Sequence, residues 1–377
     1  MKQQSFQPPE RLLMGPGPSD VSRRVREAAA RPTIGHLDPA FIAFMDELKG
    51  LLQWVFRTEN ALTLPVSGPG TAGMEACFAN LLEPGDKIVV CRNGAFGQRM
   101  LEMSERIGAE VVTVDQEWGR AVDVAQVEAA LKANPDARVL AFVQAETSTG
   151  ARSDGQALAA LAREHDCLSI MDCVTALGGI PVEVDAWGVD AAYAGTQKCL
   201  SCPPGLSPVT LSERAAERIR NRQVPVQSWF MDFSLVMNYW GSGGQRAYHH
   251  TAPVNALYSL HESLLVLKEE GLSASWERHR RIHEKLVAGL EALGLSLLVP
   301  ADERLPQLNA VRIPEGVDDG AVRGKLLEDH GIEIGAGLGP LAGKVWRIGL
   351  MGETCREDKI ERLLTALGAM KQSDSWE

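Results

Sequence analysis

Between residues 61 and 211 the sequence alternates short apolar runs with stretches whose apolar residues recur at helical spacing. Runs at 61–66, 87–91, 110–114, 138–143, 167–171, 191–194 and 207–211 have the length and character of buried strands. The stretches 72–82, 95–107, 122–132 and 156–165 fit helices. Such alternation leaves few choices. Parallel strands need a long crossover, a helix is the compact one, and the product is an α/β fold with a mostly parallel, doubly wound sheet sandwiched by helices.

The flanks read differently. Residues 21–30 and 39–56 are expected to be helical, and in the second Phe41, Ile42, Met45, Leu48, Leu51 and Leu52 recur at near-helical spacing. The first 18 residues are polar and proline-rich, ending Gly15-Pro16-Gly17-Pro18, so an extended arm is expected over 1–18. The stretch 224–245 is irregular and aromatic, and is expected to face a cleft or a partner. Helices at 253–269 and 276–293 lead into a unit of another pattern. It reads strand 297–300, strand 309–313, helix 322–328, strand 332–334, strand 345–350 and helix 359–370. A chain of 377 residues is long for one core, so the expected division is the arm, a large domain over 19–270 and a small C-terminal α+β domain over 271–377.

A net charge of -11 argues against nucleic-acid and anionic-membrane partners, while leaving room for small anions in a locally cationic cleft. No apolar run reaches the length of a membrane span, and Met1-Lys2-Gln3-Gln4-Ser5 lacks a signal-peptide core. Ser373-Asp374-Ser375-Trp376-Glu377 is no peroxisomal signal. Seven cysteines scattered through apolar stretches point to reduced thiols in the cytoplasm. Cys199 and Cys202 have ligand spacing but no second pair, so no metal is expected. His279 and His283 stand among Arg278, Arg280 and Arg281 and are expected on a solvated helix face.

Chemistry concentrates where strands should end. The run 191–194 leads into Gly195-Thr196-Gln197-Lys198, and the run 167–171 stops at Asp172. Ligands of parallel sheets bind at the carboxyl ends of strands, so this amine and this acid form a candidate site. They suit a pyridoxal phosphate enzyme, in which a lysine bonds the cofactor and an acid keeps its pyridine nitrogen protonated. Capping of a strand by Lys198 and of a helix by Asp172 is the structural alternative. Ser67-Gly68-Pro69-Gly70-Thr71-Ala72-Gly73, between a strand and a helix, can cradle a phosphate at a helix start. It also matches the dinucleotide pattern, so an NADP-dependent oxidoreductase using the Gly68–Gly73 loop stays open; Arg92 could face a 2′-phosphate. Phe96 could stack on a flat ring or belong to the core. Thr147, in Glu146-Thr147-Ser148-Thr149-Gly150, could serve a ligand or a turn. Tyr248 and Thr251, in Tyr248-His249-His250-Thr251, could offer hydroxyls to a phosphate. Arg347, inside the apolar run Val345-Trp346-Arg347-Ile348, needs an anion: a substrate carboxylate or an internal acid.

Taken in order, these motifs resemble the class V aminotransferases of fold type I, nearest to their alanine–glyoxylate (serine–pyruvate) members. The resemblance runs from Leu12-Leu13-Met14-Gly15-Pro16-Gly17-Pro18-Ser19 to Trp346-Arg347-Ile348-Gly349, with Gln197-Lys198, Pro203-Pro204-Gly205 and Tyr248-His249-His250-Thr251 its most specific parts. It implies pyridoxal 5′-phosphate as cofactor, Lys198 as Schiff-base lysine and Asp172 as partner of the pyridine nitrogen. Gly70, Thr71 and Gln197 would hold the phosphate, Thr147 would touch the ring, Phe96 would stack on it, and Arg347 would take the substrate carboxylate. The resemblance further implies a homodimer in which Tyr248 and Thr251 reach the neighbouring site and the N-terminal arm wraps the partner. The implied reaction moves an amino group from alanine or serine to glyoxylate or pyruvate, with aminoethylphosphonate and pyridoxamine transamination as alternatives. Phe96 stands where these enzymes often carry tryptophan, and Pro69 where a small hydroxyl residue is common.

Overall fold

The structure, a computed structural model, describes residues 5–241 and 246–372. Residues 1–4, 242–245 and 373–377 lie outside the described residues, and with them the terminal sequences considered above apart from Ser5. The strands are β1 (Leu12–Leu13), β2 (Leu62–Ser67), β3 (Lys87–Arg92), β4 (Glu110–Asp115), β5 (Ala137–Val143), β6 (Ala145–Glu146), β7 (Ala151–Arg152), β8 (Leu168–Asp172), β9 (Ala191–Tyr193) and β10 (Leu206–Leu211). Near the C-terminus follow β11 (Leu308–Arg312), β12 (Ile332–Glu333), β13 (Gly335–Ala336) and β14 (Val345–Gly349). Around them pack α1 (Arg23–Ala29), α2 (Pro39–Phe56), α3 (Gly70–Leu81), α4 (Ala95–Ile107), α5 (Val124–Ala133), α6 (Gly155–Glu164) and α7 (Val184–Trp187). The remaining helices are α8 (Glu213–Arg220), α9 (Phe233–Trp240), α10 (Val254–Glu270), α11 (Leu272–Ala292), α12 (Asp319–His330) and α13 (Glu357–Gln372).

The central sheet has the order β2-β10-β9-β8-β5-β3-β4. Its strands are parallel except β10, which runs antiparallel to both β2 and β9. The expectation of a mostly parallel sheet holds. Strands β5, β8, β9 and β10 are almost wholly buried, as continuous apolar runs covered on both faces must be. Helix α2 shows how sequence makes an element here. Asp38 accepts from the Ala40 N–H and Pro39 occupies the first turn. Phe41, Met45, Leu48, Leu52, Val55 and Phe56 then go into the core, each burial contributing about 1.5–3 kcal/mol.

A second apolar cluster forms where α11, α12 and α13 cover the sheet β11-β14-β13, with Leu286, Val322, Trp346 and Leu363 inside it. Leu12 and Met14 belong to this cluster, and β1 pairs in parallel with β12. Residues 11–18 of the expected arm therefore run along this chain's own C-terminal layer. Three further expectations need correction. His279 is fully buried: its Nδ1 lies 2.7 Å from the Ser275 carbonyl and its Nε2 accepts from the Gly352 N–H at 3.0 Å. It falls on the face of α11 that also buries Ile282 and Leu286, and the neighbouring arginines hid that face. His283, part-buried, has its Nδ1 2.7 Å from Asn309 Oδ1. The run 297–300 makes an isolated bridge from Leu297 to Val311 in place of a strand, and Pro300 supplies no N–H to extend it. The stretch 224–245 contains a helix, α9, capped by Asp232 and burying Phe233, Val236, Tyr239 and Trp240.

Candidate active site

The chain passes from β3 to β4 on one side of the sheet and returns to β5 on the other, so the segments after β3 and β5 diverge. Such a switch point opens a crevice. After β3 comes Gly94 and the start of α4, which carries Phe96; after β5 comes the β6 turn with Glu146 and Thr147. The two segments meet through Glu146. Its Oε2 accepts from the N–H groups of Phe96 (3.2 Å) and Gly97 (3.4 Å), while Oε1 accepts from the Ser148 N–H (3.0 Å) and hydroxyl (2.6 Å). A Cβ at Gly94 would overlap the Glu146 carboxyl and Ser148 Oγ, so only glycine allows this approach. Burial pushes the Glu146 carboxyl up from its ordinary value, and the donors around it oppose that shift.

Asp172 ends β8 as the sequence implies, and it is buried. Its Oδ1 accepts from the Val174 N–H and its Oδ2 from the Tyr193 hydroxyl, both at 2.9 Å. Burial pushes its pKa up to about 7, against the pull of those two bonds. Tyr193 was not singled out in the sequence, although it is the large residue in an alanine run and pairs with Asp172 across β8 and β9. Lys198 follows β9. Its pKa is brought down to about 8, first by burial and then by the charge of Arg347, and it feels the charge of Asp172. The Lys198 ammonium donates to the Pro16 carbonyl. Gly17, at φ +104°, makes room: a Cβ there would sit 2.5 Å from Lys198 Nζ. Asp172 does cap the turn after β8 through the Val174 N–H, and beyond that capping the acid and the Lys198 amine feel each other's charge in buried surroundings.

Arg347 lies on β14, 7% exposed, and donates through Nε to the Ala336 carbonyl (2.7 Å) and through Nη1 to the Thr147 carbonyl (3.2 Å). Among the described residues no carboxylate lies within ion-pair distance of it, so the internal salt bridge is not found. Burial brings its pKa down to about 10, with Glu146 opposing. The Thr147 hydroxyl is 3.1 Å from that of Thr175. Gly70 and Thr71 open α3, and Pro69 at its N-cap offers the helix no side-chain acceptor. Arg99 donates to Thr71 Oγ1 at 2.9 Å and stands 5.0 Å from the centre of the Phe96 ring. The Gln197 side-chain oxygen is buried without a partner among the described residues, while its main-chain carbonyl accepts from the Ser19 N–H at 2.8 Å.

Two residues stand apart. Tyr248, 60% exposed, has its hydroxyl 3.4 Å from that of Thr251 and its ring 5.3 Å from that of His36. Their contacts join them to each other and not to Lys198 or Asp172. They border a surface patch in which Trp229 stacks on His249 with centroids 4.4 Å apart. Arg92 answers the dinucleotide alternative. Its guanidinium donates to Asp115 at 2.5 and 2.7 Å and to Gln98 at 2.7 Å, so it is spent within the protein.

The sequence profile of aminotransferase class V matches residues 21–362. The alanine–glyoxylate aminotransferase of Drosophila melanogaster is 39% identical over 97% of this chain and 93% of its own length. The (S)-ureidoglycine–glyoxylate transaminase of Bacillus subtilis is 38% identical over 96% of this chain and 91% of its own. The crystal structure of an alanine–glyoxylate aminotransferase from Nostoc sp. superposes with a TM-score of 0.96 at 47% identity, covering 98% of both chains. These matches displace the NADP-dependent alternative, and the chain belongs to the class-V aminotransferases, transaminases whose cofactor is pyridoxal 5′-phosphate.

Proposed function

We propose that this chain transfers the amino group of alanine or serine to glyoxylate or pyruvate in a ping-pong cycle, at a site centred on Lys198 and shared across a homodimer. The residues present fit the cofactor. A buried carboxylate without a bonded cation, Asp172, suits a protonated pyridine nitrogen, and the unpartnered oxygen of Gln197 lies beside the Lys198 turn. Gly70, Thr71 and Gln197 would hold the phosphate, and Phe96 and Thr147 would take the ring. When bound, the cofactor supplies an electron sink for the charge left as the substrate α-proton departs.

Lys198 would bond the cofactor and, with its amine free, would act as the base that takes the substrate α-proton on Nζ. A pKa of about 8 leaves an appreciable fraction of that amine neutral near physiological pH. Arg347 holds the substrate carboxylate, which fixes the α-carbon relative to Lys198. The observation that carries this reading is Arg347 itself. A buried guanidinium whose partners are two carbonyls keeps a net charge to be balanced, and a carboxylate balances it.

A second copy of the chain brings Tyr248 and Thr251 to the site. Their exposed hydroxyls and the bordering patch of Trp229, Phe230 and His249 support that reading. The chain divides into an arm over 1–18, a large domain over 19–270 and a small domain over 271–377, the two domains largely matching the two main apolar clusters. Seven free cysteines, all buried, support a reducing, cytoplasmic setting. The test is a matrix of donors and acceptors assayed with the holoenzyme. Alanine and serine are expected to lead as donors, glyoxylate and pyruvate as acceptors; Lys198→Ala abolishes turnover. Preference for ureidoglycine, aminoethylphosphonate or pyridoxamine would reassign the substrate while leaving the reaction class, and the B. subtilis relative makes ureidoglycine the first of these to try.

A further inference from the structure

The start of α3 gathers more positive character than its sequence announces. Gly70 and Thr71 present first-turn N–H groups, and Pro69 gives them no side-chain acceptor. Arg99 reaches the same place from α4. Its Nη1 donates to Thr71 Oγ1 at 2.9 Å, and its guanidinium lies over the Phe96 ring. Among the described residues, no carboxylate comes within ion-pair distance of Arg99, whereas Arg92 and Arg106, near it in sequence, each have an acidic partner. A hydroxyl that accepts from a guanidinium keeps its own hydrogen for donation, and polarisation strengthens the bond it then gives.

We propose that Arg99 supplies the positive charge that balances the cofactor phosphate, acting through the Thr71 hydroxyl, and that the same guanidinium braces Phe96. This rests on the pyridoxal 5′-phosphate reading of the site. It gives a binding role to Arg99, three residues after Phe96 on α4. The pairing also changes what Phe96 does. A cation packed on the ring helps to hold Phe96 in place, a smaller contribution than the charge offered to the phosphate.

The two parts of the proposal separate by comparing pyridoxal 5′-phosphate with pyridoxal, which carries the same ring and aldehyde and no phosphate. Binding of each to the apoprotein is followed by quenching of tryptophan fluorescence. Arg99→Gln is expected to weaken the phosphorylated ligand by about ten- to a hundredfold, the size of a lost charge-assisted contact. Pyridoxal affinity should change less than about threefold, since the brace on Phe96 is the smaller contribution. Arg99→Lys is expected to fall between wild type and Arg99→Gln. Raising ionic strength should weaken the phosphorylated ligand more in wild type than in Arg99→Gln.

Equal weakening of both ligands would reduce Arg99 to a support for the ring and overturn the phosphate role, as would no weakening of either. Should Arg99→Gln fail to fold, Arg99→Met answers the same question with the same two ligands. Loss confined to the phosphorylated ligand supports the phosphate role of Arg99, and equal loss or none refutes it. Wild-type apoprotein that binds neither ligand would instead strike the cofactor reading itself.

Discussion

Asp172 and Lys198 each carry a pKa moved toward neutrality by burial, in opposite directions: the acid up to about 7 from 3.8, the amine down to about 8 from 10.5. For the acid, the folded chain holds a proton between pH 3.8 and 7 that the unfolded chain has lost, so apoprotein stability falls as pH rises through that window. Asp172→Asn has no such proton. The stability of wild type minus that of Asp172→Asn is therefore expected to decline between about pH 4 and pH 7, measured by urea denaturation of the apoproteins. In the holoenzyme the same substitution should cost turnover a hundredfold or so, the scale of losing one preorganised charge at a reacting system. The position of Asp172 at a strand end was legible from its run of apolar residues. Its partner Tyr193 was not, because pairing between β8 and β9 is a matter of register.

At the scale of elements, α4 is held at its first turn by a carboxylate from another segment. Glu146 accepts from two N–H groups of α4 and twice from Ser148. Glutamine has one acceptor oxygen where four donors converge, so Glu146→Gln leaves a donor facing donors. The expected cost is about 1–3 kcal/mol of stability, read as a lower melting temperature. If Phe96 stacks on the cofactor as proposed, Glu146→Gln should also weaken the circular dichroism of the bound cofactor. Glu146→Gln with an unchanged spectrum would mean that Phe96 is fixed by packing alone. The helix itself was expected over 95–107 and begins and ends there. What starts it could not be read, because the cap comes from a residue about fifty positions away. In the same way α9 went unread: eight residues of mostly apolar and aromatic character show little periodicity, and burial against the core decides the helix.

Across the whole molecule, residues 12–20 tie the C-terminal layer to the Lys198 turn. Gly349 donates its N–H to the Met14 carbonyl at 2.8 Å, and Lys359 pairs with Asp20 at 2.8 Å. At the other end the Ser19 N–H and hydroxyl bond the carbonyls of Gln197 (2.8 Å) and Lys198 (2.7 Å). Lys359→Ala is expected to speed amide exchange in residues 12–20 and in 197–201 together. Exchange that quickens in the first segment alone would show the two ends to be independent. Arg347 belongs to the same C-terminal layer, so residues 12–20 bear on where its guanidinium stands relative to Lys198.

The alternation of apolar runs and helical stretches determined the α/β class by itself, since parallel strands require crossovers and this chain supplies helices at the right intervals. The places of Asp172 and Lys198 at strand ends and of Arg347 within an apolar strand were legible as well, because such placements are local signals. Strand order, the reversal of β10, the burial of His279 and the meeting of Arg99 with Thr71 were decided only by the tertiary structure. Each depends on which surfaces come together, and contacts between residues distant in the chain leave no periodic trace in the sequence.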